Sequence, residues 1–240
     1  MYLSRLILNP LSRDVWRDLG DCRQMHRTIM SGFPDVDLQQ GVRAELGVLF
    51  RVEMKTDKGQ IIAYVQSKVK PDWDSLVKLG YLLPPHEDFT DNPSVKLVSE
   101  HYNAICNGDE LRFRLLANPT KKVDTTTKSQ RQAGVAKNNG RRIGIINHNK
   151  QIEWLRRKGE QSGFELLSVQ ADNCISDVTQ TEIRTLYSRR KTTQSNPITM
   201  HTVMFDGRLR VVNVDIFRLA LQNGIGPGKA YGCGLLSITR

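Results

Sequence analysis

Long apolar stretches are absent from this sequence. Its apolar runs, such as residues 59–65, stop far short of the ~20 residues that a bilayer-spanning helix needs. Charged side chains such as Arg5, Asp14 and Asp18 also interrupt the start of the chain, where a secretory signal needs an unbroken apolar core. We therefore expect no membrane span, and we expect the protein to stay in the cytoplasm.

Residue patterns that bind metals or form disulfide frameworks are also lacking. The cysteines form no C-x-x-C motif, and the histidines show no spacing typical of metal ligands. The cysteines are Cys22, Cys106, Cys174 and Cys233, and the histidines are His26, His86, His101, His148 and His201. The sequence thus predicts reduced thiols, no metal site and no cofactor.

Positive charge is in excess, and it lies in one half of the chain. With 39% apolar and 25% charged residues, a chain of 240 residues is long enough for one or two folded cores, which excludes wholesale disorder. Residues 1–110 carry 13 Lys and Arg against 16 Asp and Glu, whereas residues 111–240 carry 22 against 9. This asymmetry suits a nucleic acid, an anionic lipid surface or an acidic protein partner. Among these we favour nucleic acid.

A short repeat suggests that the two halves share one plan. Residues 2–9 form a predicted strand that ends at Asn9-Pro10, and residues 111–118 form another that ends at Asn118-Pro119, because proline cannot continue a central strand. The sequence Leu-Ile-Leu-Asn-Pro returns as Leu-Leu-Ala-Asn-Pro about 109 residues later, which points to internal duplication. A five-residue echo also arises by chance.

The pattern of apolar residues extends this plan along the chain. Helices are predicted near residues 14–32, 72–79, 149–158 (closed by Gly159) and 215–222, and further strands near 46–54, 60–69, 164–170, 199–205, 208–214 and 234–238. Tight hairpins are predicted at residues 56–59 and at Asp206-Gly207. The order strand, helix, strand, strand, helix, strand predicts an α+β protein with two tandem ferredoxin-like (RRM-like, βαββαβ) domains. We expect an N-terminal domain over residues 1–95, a linker over 96–110 and a C-terminal domain over 111–240.

Residues 223–234, which we call the glycine segment, carry five glycines at positions 224, 226, 228, 232 and 234. A P-loop is excluded, because Asn223 and Ala230 stand where glycine and Ser or Thr are required, and a dinucleotide fingerprint would open a helix rather than follow one. A loop that returns a helix to an edge strand would need one or two glycines. Five favour a ligand, with backbone amides and Lys229 meeting a phosphate chain.

At this point the sequence resembles a known family, the CasE proteins of type I-E CRISPR systems. The glycine segment resembles the C-terminal signature of the repeat-associated RNA-binding superfamily of CRISPR proteins. The blocks that resemble the CasE branch, nearly end to end, are Met-Tyr-Leu-Ser-Arg at the start, Arg17-Asp18-Leu19 with Met25-His26-Arg27, residues 111–119, Ile152–Arg157, Phe205-Asp206-Gly207 and Gly-Leu-Leu-Ser-Ile after Cys233.

The resemblance implies a metal-independent endoribonuclease that cuts precursor CRISPR RNA at the base of each repeat hairpin. Members stay bound to the mature CRISPR RNA and join the other Cascade subunits. The ribose 2′-hydroxyl would attack the adjacent phosphate, leaving a 5′-hydroxyl end and a 2′,3′-cyclic phosphate or 3′-phosphate end. Such a reaction needs a base, an acid and positive charge around the phosphate, and no metal.

The same resemblance assigns His26 as the catalytic histidine, since an imidazole exchanges protons near neutral pH. Members often have Tyr three residues earlier, whereas this chain has Arg23. Because arginine does not act as a base, we assign Arg23 to the transition-state phosphate. Lys229 and Cys22 are less favoured candidates for the chemistry.

RNA binding is expected mainly from basic residues of the second half. The predicted RNA-binding residues are Arg27, Lys121, Lys122, Lys128, Arg131, Arg141, Arg142, Arg156, Arg157, Gly224, Gly226, Gly228 and Lys229. Residues 121–142, which also include Lys137, have no apolar periodicity, so we expect a loop that is disordered without RNA. The cations at the end of the helix near 149–158 also suit its dipole. Arg189, Arg190 and Lys191 form a further basic run.

Two other functions stay open on the sequence. A non-catalytic subunit that binds an RNA hairpin would explain the absence of Tyr at position 23. A DNA-binding regulator would explain the charge alone, but the sequence shows no convincing helix-turn-helix.

Overall fold

The computed structural model describes residues 1–34, 45–55, 58–86, 90–123, 141–169, 175–176, 178–188 and 198–240. For residues 141, 168–169, 175–176, 178–185 and 187–188 it describes the backbone alone. In this part of the chain no helix is both long and apolar enough to cross a membrane.

The first half folds around a four-stranded antiparallel sheet. Its elements are β1 (Tyr2–Leu8), α1 (Arg13–Leu19), α2 (Cys22–Met30), β2 (Leu49–Lys55), β3 (Gln60–Ser67), α3 (Asp74–Lys78) and β4 (Ser94–Leu97). The strand order is β2-β3-β1-β4. On β1, alternate residues Leu6 and Leu8 are fully buried and pack with Ile29 of α2 and Phe50 of β2. The periodicity of 2 in the strand and of 3.6 in the helix therefore builds one core.

The second half repeats the arrangement after α4 (Ser99–Asn103). Its strands are β5 (Glu110–Ala117), β6 (Thr120–Val123), β7 (Arg141–Gly144), β8 (Phe164–Leu166), β9 (Ser168–Val169), β10 (Ile175–Ser176), β11 (Val178–Ser188), β12 (Ile198–Val211) and β13 (Leu236–Thr239). Its helices are α5 (His148–Gln161), α6 (Val214–Asn223) and a short 3-10 helix (Lys229–Tyr231). The main sheet has the order β11-β12-β5-β13, with β8 also paired to β12.

The predicted α+β class with two tandem ferredoxin-like domains is confirmed by these sheets. In both, the first strand lies between the third and the fourth, and the second strand lies outside the third. A separate core that includes Trp154, Phe164, Phe205 and Phe217 supports the second sheet. The predicted domain boundaries stay a prediction, and β4 crosses the first of them.

Three predicted elements were wrong in detail. The helix near 14–32 is two helices, because Asp21 caps α2 by accepting a hydrogen bond from the Arg23 amide at 2.9 Å. Gly159 lies inside α5: a Cβ there would lie 2.8 Å from the Phe164 carbonyl oxygen, so glycine permits close packing rather than ending the helix. Asp206-Gly207 is no turn, because β12 runs straight through it and pairs with β5.

The two domains are joined by buried charged side chains. Arg51 of β2, almost inaccessible to solvent, donates to Glu53 Oε1 at 2.8 Å and to the Leu235 carbonyl oxygen at 3.0 Å. Arg114 of β5 donates to Glu53 Oε2 at 2.9 Å and to Asp206 Oδ1 at 2.6 Å. We call these residues the interdomain network, and through Leu235 it fixes the chain just beyond the glycine segment.

Candidate active site and nucleic-acid interface

Helix α2 positions the candidate catalytic residues. Cys22, Met25 and Ile29 form its buried face, and His26 lies half-buried beside them. Arg23 is half-buried and Arg27 is exposed on the same helix. Residues three apart are neighbours on a helix surface, so Arg23 and His26 face one region.

A buried carboxylate fixes α2 against its neighbours. Asp18 at the end of α1 is 1% exposed and accepts hydrogen bonds from the Thr28 hydroxyl, from the Tyr81 hydroxyl at 3.0 Å and from Arg17 Nε at 2.9 Å. Burial and the adjacent Asp18 charge raise the pKa of Tyr81, which stays protonated as the donor. Because Thr28 belongs to α2, this cluster fixes the helix that carries His26.

The His26 imidazole lies between aromatic rings from both domains. The Phe50 ring of β2 is nearly parallel to it, with centroids 6.5 Å apart and planes at 19°. The Tyr231 ring, from the 3-10 helix of the second domain, meets it edge-on at 6.4 Å and 69°. The Nδ1 atom of His26 is shielded from solvent. The candidate catalytic group therefore sits at the junction of the domains.

A pocket of about 300 Å³ opens beside this junction, with Met25, Phe50 and Tyr231 in its wall. Cys22 also lines it, and burial raises the pKa of this thiol to about 11. Burial likewise raises the pKa of the nearby Cys233 thiol to about 12. Both sulfurs are therefore protonated at neutral pH, which disfavours Cys22 as a nucleophile.

A larger cavity of about 660 Å³ lies in the second domain, and we call it the basic groove. It lies between the β6–β7 hairpin, the last turns of α5 and the glycine segment. Its cationic lining residues are Lys121, Lys122, Arg142, Arg157, Lys158 and Lys229, and none of the described residues around it is acidic. Gly224 and Gly226 also line it. Such a surface attracts phosphates and suits a nucleic-acid backbone.

The remaining predicted binding residues lie elsewhere. Arg156 is exposed on α5 but is absent from the groove wall. Arg141 belongs to β7, where its backbone alone is described. Lys128, Arg131, Lys137 and residues 189–191 lie outside the described residues. The expectation of a disordered basic loop was wrong at both of its ends, because Lys122 pairs with Arg142 in the β6–β7 hairpin.

The glycine segment has a structural explanation that the sequence argument undervalued. All five glycines have φ between +73° and +91°, a region that other residues rarely adopt. A Cβ on Gly224 would lie 2.8 Å from Leu49 Cδ2, and one on Gly226 would lie 2.9 Å from Trp154 Cη2. Protein contacts alone therefore account for the glycines, and their number is no argument for a ligand.

One short segment connects the groove with the imidazole. Within the 3-10 helix, Lys229 lines the basic groove and Tyr231 packs against His26. Sequence reasoning missed Phe50, Tyr231 and Lys158. An aromatic residue inside a glycine-rich segment was a usable signal for Tyr231, whereas nothing local distinguished Phe50. The arrangement offers proton transfer by an imidazole next to a surface that binds phosphates.

In the described ranges, no three His, Cys, Asp or Glu side chains are grouped so as to hold a metal ion.

Comparison with known proteins gives relatives over the whole chain. The sequence matches the family described as CRISPR associated protein over residues 1–240. It is 31% identical over 240 residues, 99% of each chain, to the CRISPR-associated endoribonuclease Cse3 of Thermus thermophilus. It is 33% identical over 132 residues, 55% of this chain and 58% of the relative, to the CRISPR system Cascade subunit CasE of Escherichia coli. A solved structure of CRISPR endoribonuclease Cse3 bound to 19 nt RNA matches with a TM-score of 0.76 and 30% identity over 100% of both chains.

Proposed function

This chain belongs to the family of CRISPR-associated proteins, in the branch of Cse3 and CasE, and on that premise we propose that it is a cytoplasmic endoribonuclease for precursor CRISPR RNA. It cuts within the repeat, at the base of the hairpin, and stays bound to the mature CRISPR RNA as a Cascade subunit. The relatives named as an endoribonuclease and as a Cascade subunit support the activity and the assembly.

The observation that carries this proposal is that one 3-10 helix contacts both the basic groove and His26. The groove offers six cations to a phosphate backbone; within that helix Lys229 lines the groove and Tyr231 contacts the imidazole. A hairpin stem held in the groove brings its phosphates toward the domain junction. A-form RNA is recognised mainly through its shape and its backbone, which fits a groove built of Lys and Arg.

The chemistry uses a nucleophile that the RNA supplies. The ribose 2′-hydroxyl attacks the adjacent phosphorus, and the bond to the 5′-oxygen breaks. The attacking 2′-hydroxyl loses a proton and the departing 5′-oxygen gains one; His26 carries one of these two transfers, and Arg23 stabilises the negative charge that develops on the phosphate. The products of this step carry a 5′-hydroxyl and a 2′,3′-cyclic phosphate, and addition of water to the cyclic phosphate gives the 3′-phosphate. No step requires a metal ion.

The test incubates the purified protein with a labelled repeat hairpin in excess EDTA. We expect a single cut at the base of the stem, with a 5′-hydroxyl on the downstream fragment. A 2′-deoxy substitution at the scissile ribose should abolish the cut while the hairpin stays bound. Dependence on magnesium, or cleavage of the 2′-deoxy substrate, would contradict the proposed chemistry.

A non-catalytic subunit that binds the hairpin is the second candidate, and Arg23 in place of a tyrosine favours it. His26→Ala separates the two. We expect the variant to bind the hairpin normally and to lose about 10²–10⁴-fold in cleavage rate. Binding without any cleavage by the unsubstituted protein would support the non-catalytic alternative, and full activity of His26→Ala would remove the catalytic assignment.

A further inference from the structure

The residue that meets the His26 imidazole from the second domain is Tyr231. Its ring stands at 69° to the imidazole, with the centroids 6.4 Å apart. The Phe50 ring makes the second contact: it is nearly parallel to the imidazole, with the centroids 6.5 Å apart and the planes at 19°. An imidazole held by one stacked and one edge-on ring has far fewer accessible orientations than one on a free helix surface.

The backbone fixes Tyr231 in this place. Its amide donates to the Gly228 carbonyl oxygen at 2.8 Å, and the Gly234 amide donates to the Leu116 carbonyl oxygen at 2.8 Å. Between them Gly232 passes so close to Phe50 that a Cβ would lie 3.2 Å from Cε2. The glycine segment therefore holds the tyrosine against the imidazole from a rigid base.

Proton transfer depends strongly on the orientation of the group that performs it, and a misplacement of about 1 Å costs about 10²-fold in rate. The contacts that orient His26 come from both domains, although the residue itself belongs to the first. The buried thiols of Cys22 and Cys233 are poor substitutes for the imidazole, because burial raises the pKa of both.

We infer that Tyr231 is a positioning residue for His26: its ring holds the imidazole in the orientation that proton transfer requires, so that the catalytic group of the first domain is competent only when the glycine segment of the second is seated. The inference rests on the proposed function. The ring carries the effect, and the phenol hydroxyl does not.

The test compares Tyr231→Phe, Tyr231→Leu and Tyr231→Ala in single-turnover cleavage of the repeat hairpin. Phe keeps the ring, so its rate should stay within about threefold of the unsubstituted protein. Leu and Ala remove the ring, so their rates should fall about 10- to 100-fold. Affinity for a 2′-deoxy hairpin should be unchanged in all three. The pH–rate profile of the Ala variant should lose or shift the limb that His26→Ala removes.

A matched control is Tyr2→Ala, which removes a half-buried tyrosine of β1 that pairs with Ser67 and Leu97 and does not line the pocket beside His26. It should leave the cleavage rate and the pH profile unchanged. Loss of activity in the Phe variant equal to that in the Ala variant would assign the effect to the hydroxyl and overturn the inference. So would full activity of both the Ala and Leu variants, or a fall in their rate matched by lost hairpin affinity.

Failure of this inference is distinguishable from failure of the proposed function. If the unsubstituted protein cleaves and His26→Ala does not, a neutral Tyr231→Ala rejects the positioning role alone. If the unsubstituted protein does not cleave the hairpin, the proposed function itself is rejected.

Discussion

At the scale of single residues, the two thiols near the proposed catalytic residue His26 are poor proton-transfer groups at neutral pH. The two nearby thiols are buried, and burial raises the pKa of Cys22 to about 11 and that of Cys233 to about 12. An imidazole ordinarily titrates near neutral pH, where these thiols do not. Burial therefore keeps both sulfurs in the unreactive thiol form at neutral pH.

Thiol reactivity should follow this difference. In a Cys174→Ser background, we expect the exposed Cys106 to react rapidly with Ellman's reagent, and Cys22 and Cys233 to react only after unfolding. Their protection should persist from about pH 7 to 9, because both pKa values lie above that window. The amount of thionitrobenzoate released in native buffer and in guanidinium gives the number of accessible thiols in the folded and unfolded protein. A second fast thiol in native buffer would contradict it.

Gly232 offers a test of close packing that is separable from backbone strain. Gly232 and Gly108 have nearly equal φ, +89° and +88°, but a Cβ would meet Phe50 at position 232 and nothing within 4 Å at position 108. We expect Gly108→Ala to cost about 1 kcal/mol from φ alone and Gly232→Ala about 2–3 kcal/mol. Only Gly232→Ala should slow cleavage. Urea unfolding and the hairpin assay check both, and equal costs would argue against the contact.

At the scale of secondary-structure elements, the pair α1–α2 depends on one carboxylate. Asp18→Ala removes the carboxylate acceptor of the half-buried Thr28 hydroxyl and of the buried Tyr81 hydroxyl, so we expect a loss of about 1–3 kcal/mol and slower cleavage. Asp14→Ala is the control, since it removes an exposed pair with Arg17 and should cost less than about 0.5 kcal/mol. Thermal denaturation measures the loss of stability in both variants. An equal fall in melting temperature would contradict the structural role of the buried Asp18 carboxylate.

The same scale shows what local sequence can and cannot predict. Helices α5 and α6 and the β2–β3 hairpin follow from periodicity, and residues 56–59 were predicted as its turn. β11 was missed, and β12 was split in two. In β12 the pair Asp206-Gly207 favours a turn locally, but Arg114 of the neighbouring strand binds Asp206 and Phe113 pairs with Gly207. Long-range pairing overrode local turn chemistry.

The candidate site, like the fold, could be predicted only in part from the sequence. The charge asymmetry of the halves predicted the cations, and the structure brings Lys121, Arg142, Arg157 and Lys229 together in one groove. His26 came from family resemblance alone. Tyr231 carried a local signal as an aromatic residue in a glycine-rich segment, but its contact with His26 forms only when both domains fold and the glycine segment turns back onto β2.

At the scale of the whole molecule, the interdomain network makes stability depend on pH. Burial alone would raise the pKa of Glu53, but Arg51, Lys55 and Arg114 together lower it below its ordinary value. A carboxyl group whose pKa is lower in the folded state than in the unfolded state stabilises the fold at pH values above its unfolded-state pKa. This stabilisation is lost as the pH falls through the folded-state pKa. Acid should therefore loosen the junction of the domains.

Glu53→Gln tests this. We expect it to cost about 3 kcal/mol at pH 7, because it leaves the buried Arg51 guanidinium without a counter-charge. The difference from the unsubstituted protein should shrink as the pH falls below about 4.5. Urea midpoints measured between pH 3 and 7 give this difference. A constant difference across that range would mean that the charge of Glu53 is unimportant.

The affinity for RNA, and its dependence on salt, should reflect the cations of the basic groove. Each cation that meets a phosphate releases counterions, so Arg157→Ala should weaken hairpin binding and reduce the slope of log Kd against log salt by about 1. Lys96→Ala, an exposed cation on β4, is the control and should leave the slope unchanged. Filter binding across a salt series measures both, and equal slopes for all three proteins would exclude Arg157 from the interface.

The shared construction of the His26 pocket limits how this protein can recombine with its relatives. Phe50 and Arg51 come from one half of the gene, whereas Tyr231, Gly232 and the Leu235 carbonyl they meet come from the other. A chimera that exchanges whole halves between homologues inherits two intact cores and an intact groove. The chimera is an active nuclease only if the two parent proteins have compatible residues at those few positions.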